Sequence, residues 1–587
     1  MCGIVGVIAP DASRRAFEGL KSLEYRGYDS WGVCVPAAKG GQFDLERHVG
    51  RIANALVSVG EGSEIALGHT RWATHGNVSE RNCHPHLSND GSVAIVHNGI
   101  VENFVQLKEK LSKKGFRFNS DTDSEVIANL IQHHIACGFV EAVRLSLLEI
   151  EGSYAIAALH GGEEKIVCAR NGSPLVIGAA KGGEYYVASD ATAFLQHTKN
   201  AVFLLDHQMA VCGKGLLEVR SVESGRRVRF RQKRLSWSIE QVRKGSFDHF
   251  MIKEISEQPS SIAAAVNQPR KELARFVSIL SGARNIVLLG CGSSYHSCIA
   301  GSYFFSSVAG INARAILASE FPSFAKFYGK GSVVVAVSQS GETADLLEAV
   351  KAAGGENGAK VISIVNVMDS SLMRASDCTL LMNAGPEICV LSTKSYTSQL
   401  AILLLLAYSL AGDEWGGKQI IREAADAAKS ILDSSRGAMQ ALAKKLADSN
   451  SLFVIGRSDA FPVSLEAALK IKEVSYIHAE GFAGAELKHG TIALVEQGTP
   501  AIVLSTQKTR SLTTSNAIEM KSRGAFIIGV DSQPNDAYDI NINVPELGSA
   551  NPLMLIIPIQ LLSYYLAIER GCDPDKPRNL AKAVTVK

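Results

Sequence analysis

The chain has 587 residues, of which 46% are hydrophobic and 20% charged, and its formal net charge is +2. A chain of this length divides into several domains of about 150 residues each, and its near-neutral balance gives no reason to expect a nucleic-acid or membrane partner. Eleven cysteines without a CxxC pair or metal-ligand spacing predict free thiols, a cytoplasmic location and no metal or other cofactor. The longest apolar runs, 400–412 and 553–567, are shorter than the roughly 20 residues that span a bilayer.

The amino terminus reads Met-Cys-Gly-Ile-Val-Gly, which places Cys2 one cleavage from the start of the chain. If Met1 is removed, a thiol and a free α-amine belong to the same residue. A nucleophile needs an adjacent base, and here the amine can serve as that base without a histidine. The same residues also read as a buried first strand, so the motif alone leaves a nucleophile and a core cysteine open.

The first 236 residues contain short strand-like runs bounded by Gly, Asn or Asp, which predicts a domain of β-strands mixed with helices. A segment richer in charge follows, and we predict a linker over residues 237–248. Beyond it, apolar strands, glycine or serine turns and long helices alternate. That alternation is typical of a parallel sheet covered by helices.

The second region contains an internal repeat. Predicted strands end at Gly290, Ser338 and Asn366 and, at nearly equal intervals, at Gly456, Ser505 and Asp531. A fixed order of strand, turn and helix at matched spacing indicates two copies of one structural module. We predict two doubly wound parallel-sheet domains, 249–435 and 440–575, followed by a tail over 576–587.

The two copies differ after their second predicted strands. The first copy continues as SQSGETADLL, a turn of small hydroxyl residues that enters a helix, whereas the second reads STQKTRSLTT. Free N–H groups and hydroxyls at a helix N-terminus suit a phosphate, and ligands bind beyond the carboxyl ends of parallel strands. The candidate phosphate ligands are Ser338, Gln339, Ser340 and Thr343, with Ser293 and Ser294 from the earlier turn CGSS. Ordinary helix capping is the alternative, and the lack of GxGxxG and GK[ST] argues against a nucleotide.

Short motifs recur along nearly the whole chain. They include MCGIVG at the start, LEYRGYDS at 23–30, HTRWATHG at 69–76, HNGIVEN at 97–103, SDTDSEVI at 120–127, SQSGET at 338–343, STK at 392–394, SYIHAEGF at 475–482, ELKHG at 486–490 and PRNLAKAVTV at 577–586. Together they resemble the isomerizing glutamine–fructose-6-phosphate aminotransferases, also called glucosamine-6-phosphate synthases. The short linker resembles that of the bacterial type.

For residues 1–236 the resemblance implies an N-terminal-nucleophile hydrolase fold, an αββα sandwich that acts as a class II glutamine amidotransferase. Cys2 would attack the glutamine amide, and Asn98 and Gly99 would form the oxyanion hole. The residues implied in glutamine binding are Arg71, Thr74, His75 and Asp123. Ammonia would then travel through an enclosed passage, with Trp72 near its start and the carboxyl-terminal tail closing its sugar end.

For the two later domains the resemblance implies sugar-isomerase (SIS) folds that bind fructose 6-phosphate through its phosphate. It assigns phosphate contacts to the candidates named above and adds Ser392. Glu473 would move a proton between C1 and C2, His489 would open the ring from the neighbouring subunit of a homodimer, and Lys582 would form a Schiff base. Glu466 and Lys470 are matched helix residues near the same site.

The implied reaction transfers the amide nitrogen of L-glutamine to fructose 6-phosphate and yields glucosamine 6-phosphate and L-glutamate, the first step of hexosamine and UDP-N-acetylglucosamine synthesis. The chain departs from the family at Leu391, where alanine is common, and at Thr491, where proline is usual. A different ketose phosphate is therefore one alternative acceptor. A sugar-phosphate sensor with a vestigial glutaminase is another, although none of the expected catalytic residues is lost.

Overall fold

A computed structural model describes residues 2–37, 41–52, 55–73, 75–235, 237, 239–355 and 357–585. These residues form two compact units. The amino-terminal unit comprises Met1–Val242 together with the tail Ala581–Lys587, and the second unit is Arg243–Leu580. The last residues of the chain therefore group with the first unit, although they follow the second in sequence.

Two antiparallel sheets form the centre of the amino-terminal unit. Its described strands are β1 (Gly3–Ile8), β2 (Ser30–Pro36), β3 (Phe43–Val49), β4 (Ile65–Arg71), β5 (His86–Leu87), β6 (Val93–Val101), β7 (Gly152–His160), β8 (Lys165–Asn171), β9 (Val176–Ala179), β10 (Tyr185–Ala188), β11 (Asn200–Phe203), β12 (Gln208–Gly213), β13 (Leu216–Ser221) and β14 (Lys233–Arg234). The larger sheet has the order β14-β11-β9-β10-β1-β4-β2-β3, and the smaller has the order β13-β12-β8-β7-β6-β5.

Helices cover the outer faces of these two sheets. They are α1 (Ala12–Ser22), α2 (Phe104–Ser112), α3 (Glu125–His134) and α4 (Phe139–Glu149), and the short α5 (Ile239–Val242) follows the last strand. Strand residues alternate between the two sides: Ile4 and Ile8 join a cluster shared by both sheets, whereas Val5 lies against Gly19 of α1. A second cluster packs α3 and α4 on the smaller sheet. The predicted αββα sandwich is confirmed.

The second unit contains two five-stranded parallel sheets. Its described strands are β15 (Asn285–Gly290), β16 (Ala313–Leu317), β17 (Ser332–Ser338), β18 (Lys360–Val365), β19 (Cys378–Leu381), β20 (Ser451–Gly456), β21 (His478–Ala483), β22 (Pro500–Leu504), β23 (Phe526–Asp531) and β24 (Ile540–Asn543). The orders β16-β15-β17-β18-β19 and β21-β20-β22-β23-β24 are the same, which confirms the doubly wound repeat. The four strands that the sequence analysis missed are the edge strands of the two sheets, where half-exposed residues weaken the apolar pattern.

The helices of the second unit join both sheets into one core. They are α6 (Phe250–Ser256), α7 (Gln258–Ala265), α8 (Arg270–Ser281), α9 (Ser293–Ala309), α10 (Ala344–Gly354), α11 (Ser371–Arg374), α12 (Lys394–Leu410), α13 (Glu414–Leu446), α14 (Phe461–Ser475), α15 (Arg510–Lys521) and α16 (Asn551–Glu569). One apolar cluster contains Leu288 and Val335 of the first sheet, Val454 and Ile528 of the second, and most of α12.

Two sequence-based boundaries differ from the observed elements. The boundary predicted at 435–440 lies inside α13, because a stripe of buried apolar residues such as Ile431, Met439 and Leu446 continues through it. The predicted linker 237–248 contains helix α5, and Ser238 lies outside the described residues. The two sheets of the second unit are thus connected by a continuous helix rather than by a loop.

Helix α16 is unusually apolar. The segment Gly548–Glu569 is long and apolar enough to cross a membrane. The shorter run 553–567, which alone was considered in the sequence analysis, did not suggest this. However, 89% of the most apolar 18-residue stretch of the segment is buried inside the protein. Its residues belong to the apolar cluster that joins the two sheets of the second unit. Its apolar character on all sides is therefore accounted for by burial in the core.

Candidate functional site

Cys2 lies in a small cleft of the amino-terminal unit, just before β1. The cleft has a free volume of about 40 Å³, and it is lined by Cys2, Arg26, Trp72, Asn98, Gly99, Ser173, Pro174, Ala583, Val584 and Thr585. The backbone N–H of Trp72 donates to Cys2 Sγ at 3.2 Å. A donor at this position stabilises negative charge on the sulfur. The structure thus brings together the predicted nucleophile, both predicted oxyanion residues and Trp72.

The two predicted oxyanion residues lie next to each other in β6. Asn98 Nδ2 donates to the carbonyl oxygen of Cys2 at 2.9 Å, and a side-chain amide has a second hydrogen for a ligand. Gly99 has a φ of 135°, and an added Cβ would lie 1.9 Å from the carbonyl oxygen of Ser153. The backbone at this point therefore requires glycine. A side-chain amide beside a peptide N–H offers the pair of donors that a tetrahedral intermediate needs.

Arg71 and Asp123 are buried, and neither is among the residues that line the cleft. Arg71 directly precedes Trp72 at the end of β4, and its guanidinium donates to backbone carbonyls of the following loop, at 3.1 Å to Gly76 and 3.3 Å to Asn77. Asp123 precedes α3, and its Oδ2 accepts from the backbone N–H of Val101 at 2.8 Å. A guanidinium carries five N–H groups, so Arg71 can bind a substrate carboxylate in addition to these loop carbonyls.

The remaining predicted glutamine-binding residues belong to that same loop. His75 accepts from Arg71 through its backbone carbonyl, and its ring meets the ring of Phe104 edge-on, with the centroids 5.9 Å apart. Thr74 lies outside the described residues.

Arg26 is a cleft residue that the sequence analysis did not single out. Its side chain is buried, Nε donates to the Cys2 carbonyl at 3.4 Å, and NH1 pairs with Asp190 at 3.5 Å. The next residue, Gly27, passes so close to β4 that an added Cβ would lie 2.8 Å from the carbonyl carbon of Arg71. The motif LEYRGYDS contains both residues, so the signal was present in the sequence.

The candidate phosphate-binding turn follows β17 in the second unit. The strands β16 and β17 lie on opposite sides of β15, so the order in which strands are added to the sheet reverses at this point. Such a reversal leaves a crevice beyond the carboxyl ends of the two neighbouring strands. Ser338 Oγ accepts from the backbone N–H of Gly341 at 3.0 Å, and Ser340 Oγ accepts from the N–H of Glu342 at 3.2 Å. These bonds use the hydroxyl oxygens and leave hydroxyl hydrogens that can be donated.

The other residues of the turn complete its shape. Gln339 is half-buried, and its backbone carbonyl accepts from the N–H of Asn366 at 3.2 Å. Thr343 stands at the N-cap of α10, and its Oγ1 lies 3.3 Å from Ser338 Oγ. Gly341 has a φ of 64°, and an added Cβ would collide with the side chain of Ser370. The turn is therefore closely packed on its inner side.

Ser294 and Ser392 contribute further hydroxyls in this unit. Ser294 Oγ accepts from Gln399 Nε2 at 3.1 Å, a partner that the sequence analysis missed. Ser392 Oγ lies 2.5 Å from Ser395 Oγ, and Ser395 in turn donates to the buried carboxylate of Glu387 at 2.7 Å.

A buried charged network surrounds Glu466 on α14. Lys470 Nζ lies 2.7 Å from Glu473 and 3.4 Å from Glu466. Burial opposes the charge of Lys470, but the two carboxylates outweigh burial and raise the pKa of its ammonium group above the ordinary value. Ser293 Oγ donates to Glu466 at 2.8 Å, and His296 Nδ1 lies 2.8 Å from its other oxygen. The hydroxyl hydrogen of Ser293 therefore goes to Glu466 rather than to a phosphate, and His296 is a member that the sequence analysis missed.

We expect Lys470→Met to lower the free energy of unfolding of this unit by about 3–5 kcal/mol, because it removes the buried ammonium group that Glu466 and Glu473 share. The measurement is the shift of the denaturant midpoint assigned to the second unit. Lys472→Met is the matched control, since Lys472 is exposed on the same helix. Equal midpoints for the two variants would contradict the prediction.

His489 and Lys582 are the remaining residues predicted to act on the sugar. His489 ends the short 3-10 helix Gly484–His489 and is exposed, as is Leu494 a few residues later. Lys582 belongs to the tail that groups with the amino-terminal unit, one residue before the tail segment that lines the cleft of Cys2.

Comparison with known proteins covers the whole chain. The family model described as a glutamine amidotransferase domain matches residues 53–232, and the model described as a SIS domain matches residues 279–409 and 445–570. The chain is 41% identical to a glutamine–fructose-6-phosphate aminotransferase (isomerizing) of Pyrococcus horikoshii, and 40% identical to one of Chlorobaculum tepidum, with 100% of each chain covered.

Solved structures resemble the second unit. The C-terminal domain of glucosamine-fructose-6-phosphate aminotransferase from Francisella tularensis is 30% identical, has a TM-score of 0.50, and covers 57% of this chain and 99% of its own. The tagatose-6-phosphate ketose/aldose isomerase of Escherichia coli is similar in fold, at 18% identity and a TM-score of 0.51, over 57% of this chain and 96% of its own.

Proposed function

The chain belongs to the isomerizing glutamine–fructose-6-phosphate aminotransferases, and on that premise we propose how its residues divide the reaction between the two units. It is an enzyme that transfers the amide nitrogen of L-glutamine to fructose 6-phosphate and isomerises the sugar, giving glucosamine 6-phosphate and L-glutamate. This reaction is the first step of hexosamine synthesis. The amino-terminal unit releases the nitrogen, and the second unit binds and isomerises the sugar.

In the glutaminase half, Cys2 Sγ attacks the amide carbon after removal of Met1. The α-amine of Cys2 accepts the thiol proton and passes it to the leaving nitrogen, so that ammonia departs and a thioester remains. Water then hydrolyses the thioester to glutamate and restores the thiol. Asn98 Nδ2 and the Gly99 N–H stabilise the oxyanion, an effect worth roughly 3–4 kcal/mol for each donor in comparable sites. Arg71 and Asp123 hold the α-carboxylate and α-ammonium groups.

The observation that carries this proposal is the composition of the cleft around Cys2. The nucleophile, the oxyanion residues and Trp72 come together with Ala583–Thr585 of the carboxyl-terminal tail. The tail carries Lys582, the candidate for a Schiff base with the sugar carbonyl. A cleft that releases ammonia is thus lined by the segment that is proposed to hold the acceptor carbon.

In the sugar half, we propose that polar side chains around the first sheet, most of them hydroxyls, bind the phosphate. The proposed ligands are Ser294, Ser338, Gln339, Ser340, Thr343 and Ser392. The corresponding edge of the second sheet is less suited to an anion, because Arg510 there pairs with the buried Asp531 at 2.7 Å. Glu473 then moves the proton between C1 and C2, with Lys470 beside it.

The burial of Leu391 removes the reason for considering a ketose phosphate other than fructose 6-phosphate as the acceptor. This residue prompted the alternative acceptor, but its side chain is 1% exposed and belongs to the apolar core cluster of the second unit. A side chain packed in the core leaves the shape of a neighbouring sugar site largely unchanged.

A product assay tests the proposed function. The enzyme is supplied with glutamine and, separately, fructose 6-phosphate, tagatose 6-phosphate or sorbose 6-phosphate, and amino sugar and glutamate are quantified by mass spectrometry. We expect glucosamine 6-phosphate and glutamate in equal amounts with fructose 6-phosphate. Amino sugar formed faster from another ketose phosphate would support that alternative acceptor, and no amino sugar from any would support the sensor.

We also propose a cytoplasmic homodimer. All eleven cysteines are free thiols, which suits a reducing compartment. The side chain of Leu494, five residues after His489, is 64% exposed. A second copy of the chain that covered this region would remove this apolar surface from water. Mixing inactive His489→Ala and Glu473→Gln chains tests the shared site: hybrids restore activity only if His489 serves its neighbour, since one of their two sites then has both residues.

A further inference from the structure

His69 is a fully buried residue of β4 whose Nε2 faces two oxygen atoms. One is the backbone carbonyl of His97, 3.1 Å away, and the other is Oδ1 of Asn98, 3.0 Å away. This histidine has no role in the proposed mechanism. Its contact is nevertheless made directly to the side chain that is proposed to stabilise the oxyanion.

The contacts determine the position of the proton on His69. Burial lowers the pKa of His69 to about 3, so the ring is neutral at the pH values where enzymes work, and a neutral imidazole has one N–H. The His97 carbonyl can only accept, so Nε2 must carry the hydrogen. The amide of Asn98 must then turn its oxygen towards His69.

The other end of the same amide gives an independent reason for this orientation. Asn98 Nδ2 faces the carbonyl oxygen of Cys2 at 2.9 Å, and that oxygen also can only accept. A reversed amide would place oxygen against oxygen at Cys2 and would bring an NH2 group against the Nε2–H of His69. Both ends of Asn98 are thus consistent with a single orientation.

We propose that His69 is a positioning residue of the glutaminase: its Nε2–H fixes the Asn98 amide with the NH2 end towards the reacting carbonyl. The inference rests on the proposed role of Asn98. Without His69 only the Cys2 carbonyl orients the amide. Rotation by half a turn then becomes easier, and it presents an oxygen to the oxyanion, which repels the charge that the transition state develops. Preorganised donors are effective because they need no reorientation during the reaction.

The ring of His69 is itself held in place by its neighbours. It stacks on the ring of His84, with the centroids 4.1 Å apart, and His84 meets His86 at 4.3 Å. Burial lowers the pKa of His84 and His86 well below the ordinary value, so both rings are neutral. The stacked rings therefore do not repel one another. A neutral, packed ring keeps its Nε2 in a constant direction.

Three substitutions of His69 test this role. His69→Phe keeps a ring on His84 but has no donor; His69→Gln places an N–H near the position of Nε2, and His69→Asn places one near Nδ1, away from Asn98. Glutamine hydrolysis is measured with saturating fructose 6-phosphate. We expect kcat to fall roughly 10- to 100-fold in His69→Phe and His69→Asn and to recover to within about threefold in His69→Gln, with the KM for glutamine changed less than about twofold.

The double variant His69→Phe/Asn98→Ala separates positioning from a general structural effect. If His69 acts through Asn98, the double variant is no slower than Asn98→Ala alone, because the two losses are not independent. The circular dichroism spectrum and the thermal unfolding of the amino-terminal unit, which contains His69, report folding, and His84→Phe controls for loss of an imidazole from the stack. Should His69→Phe fail to fold, the Gln and Asn variants carry the comparison.

The outcomes are distinguishable. His69→Phe at wild-type kcat, equal rates for His69→Gln and His69→Asn, or independent losses in the double variant would overturn the positioning role while leaving the proposed function intact. A wild-type rate for Asn98→Ala would overturn the oxyanion assignment and this inference with it.

Discussion

Replacing Cys2 with alanine is expected to reduce glutamine-dependent formation of glucosamine 6-phosphate by roughly 10⁴-fold or more, because no other group can form the thioester. Isomerisation of the sugar phosphate should continue at close to the wild-type rate, since Glu473, which is proposed to move the proton, lies with Lys470 in the second unit. The measurement is a paired assay of glutamate release and of fructose 6-phosphate conversion on the same preparation.

Cys137→Ala is the matched control for this variant, because Cys137 is an exposed thiol of the same unit. It should keep both activities. Retention of glutamine-dependent synthesis by Cys2→Ala would contradict the nucleophile assignment. Full activity in protein that still carries Met1 would contradict the role of the α-amine, since that amine would then be part of a peptide bond.

Glu473→Gln is expected to slow proton transfer in the sugar by about 10²- to 10⁴-fold, the range for loss of a positioned base. Glutamine keeps the size of the side chain and a hydrogen bond near Lys470, which lies 2.7 Å from the carboxylate in the wild type, but it cannot hold the proton. The direct readout is exchange of the carbon-bound hydrogen of the sugar phosphate with D₂O, followed by NMR. Hydrolysis of glutamine should be retained.

Glu480→Gln provides the comparison, because Glu480 is an exposed carboxylate shortly after the same helix. It should exchange deuterium at the wild-type rate. If Glu473→Gln did the same, the base would have to be another group, and the nearest carboxylate in the network is that of Glu466.

Local patterns were sufficient for much of the fold. The apolar runs that become β15, β17, β18, β20, β22 and β23 are readable because buried strands of a parallel sheet are apolar on both faces. The equal spacing of those runs predicted the repeat, and the turn chemistry after β17 singled out one of the two copies. The edge strands and the continuity of α13 were missed, since both depend on what packs against the segment rather than on its own residues.

By itself the sequence determined the domain types, the doubly wound repeat, the candidate nucleophile and, through its motifs, the family. Only the tertiary structure decided which atoms meet: Ser293 donates to Glu466, 173 residues away, His69 reaches the amide of Asn98, and the tail lines the cleft of Cys2. The physical reason is that periodicity and turn chemistry act over a few neighbouring residues. The direction of a buried hydrogen bond is set by partners that folding brings together from distant parts of the chain.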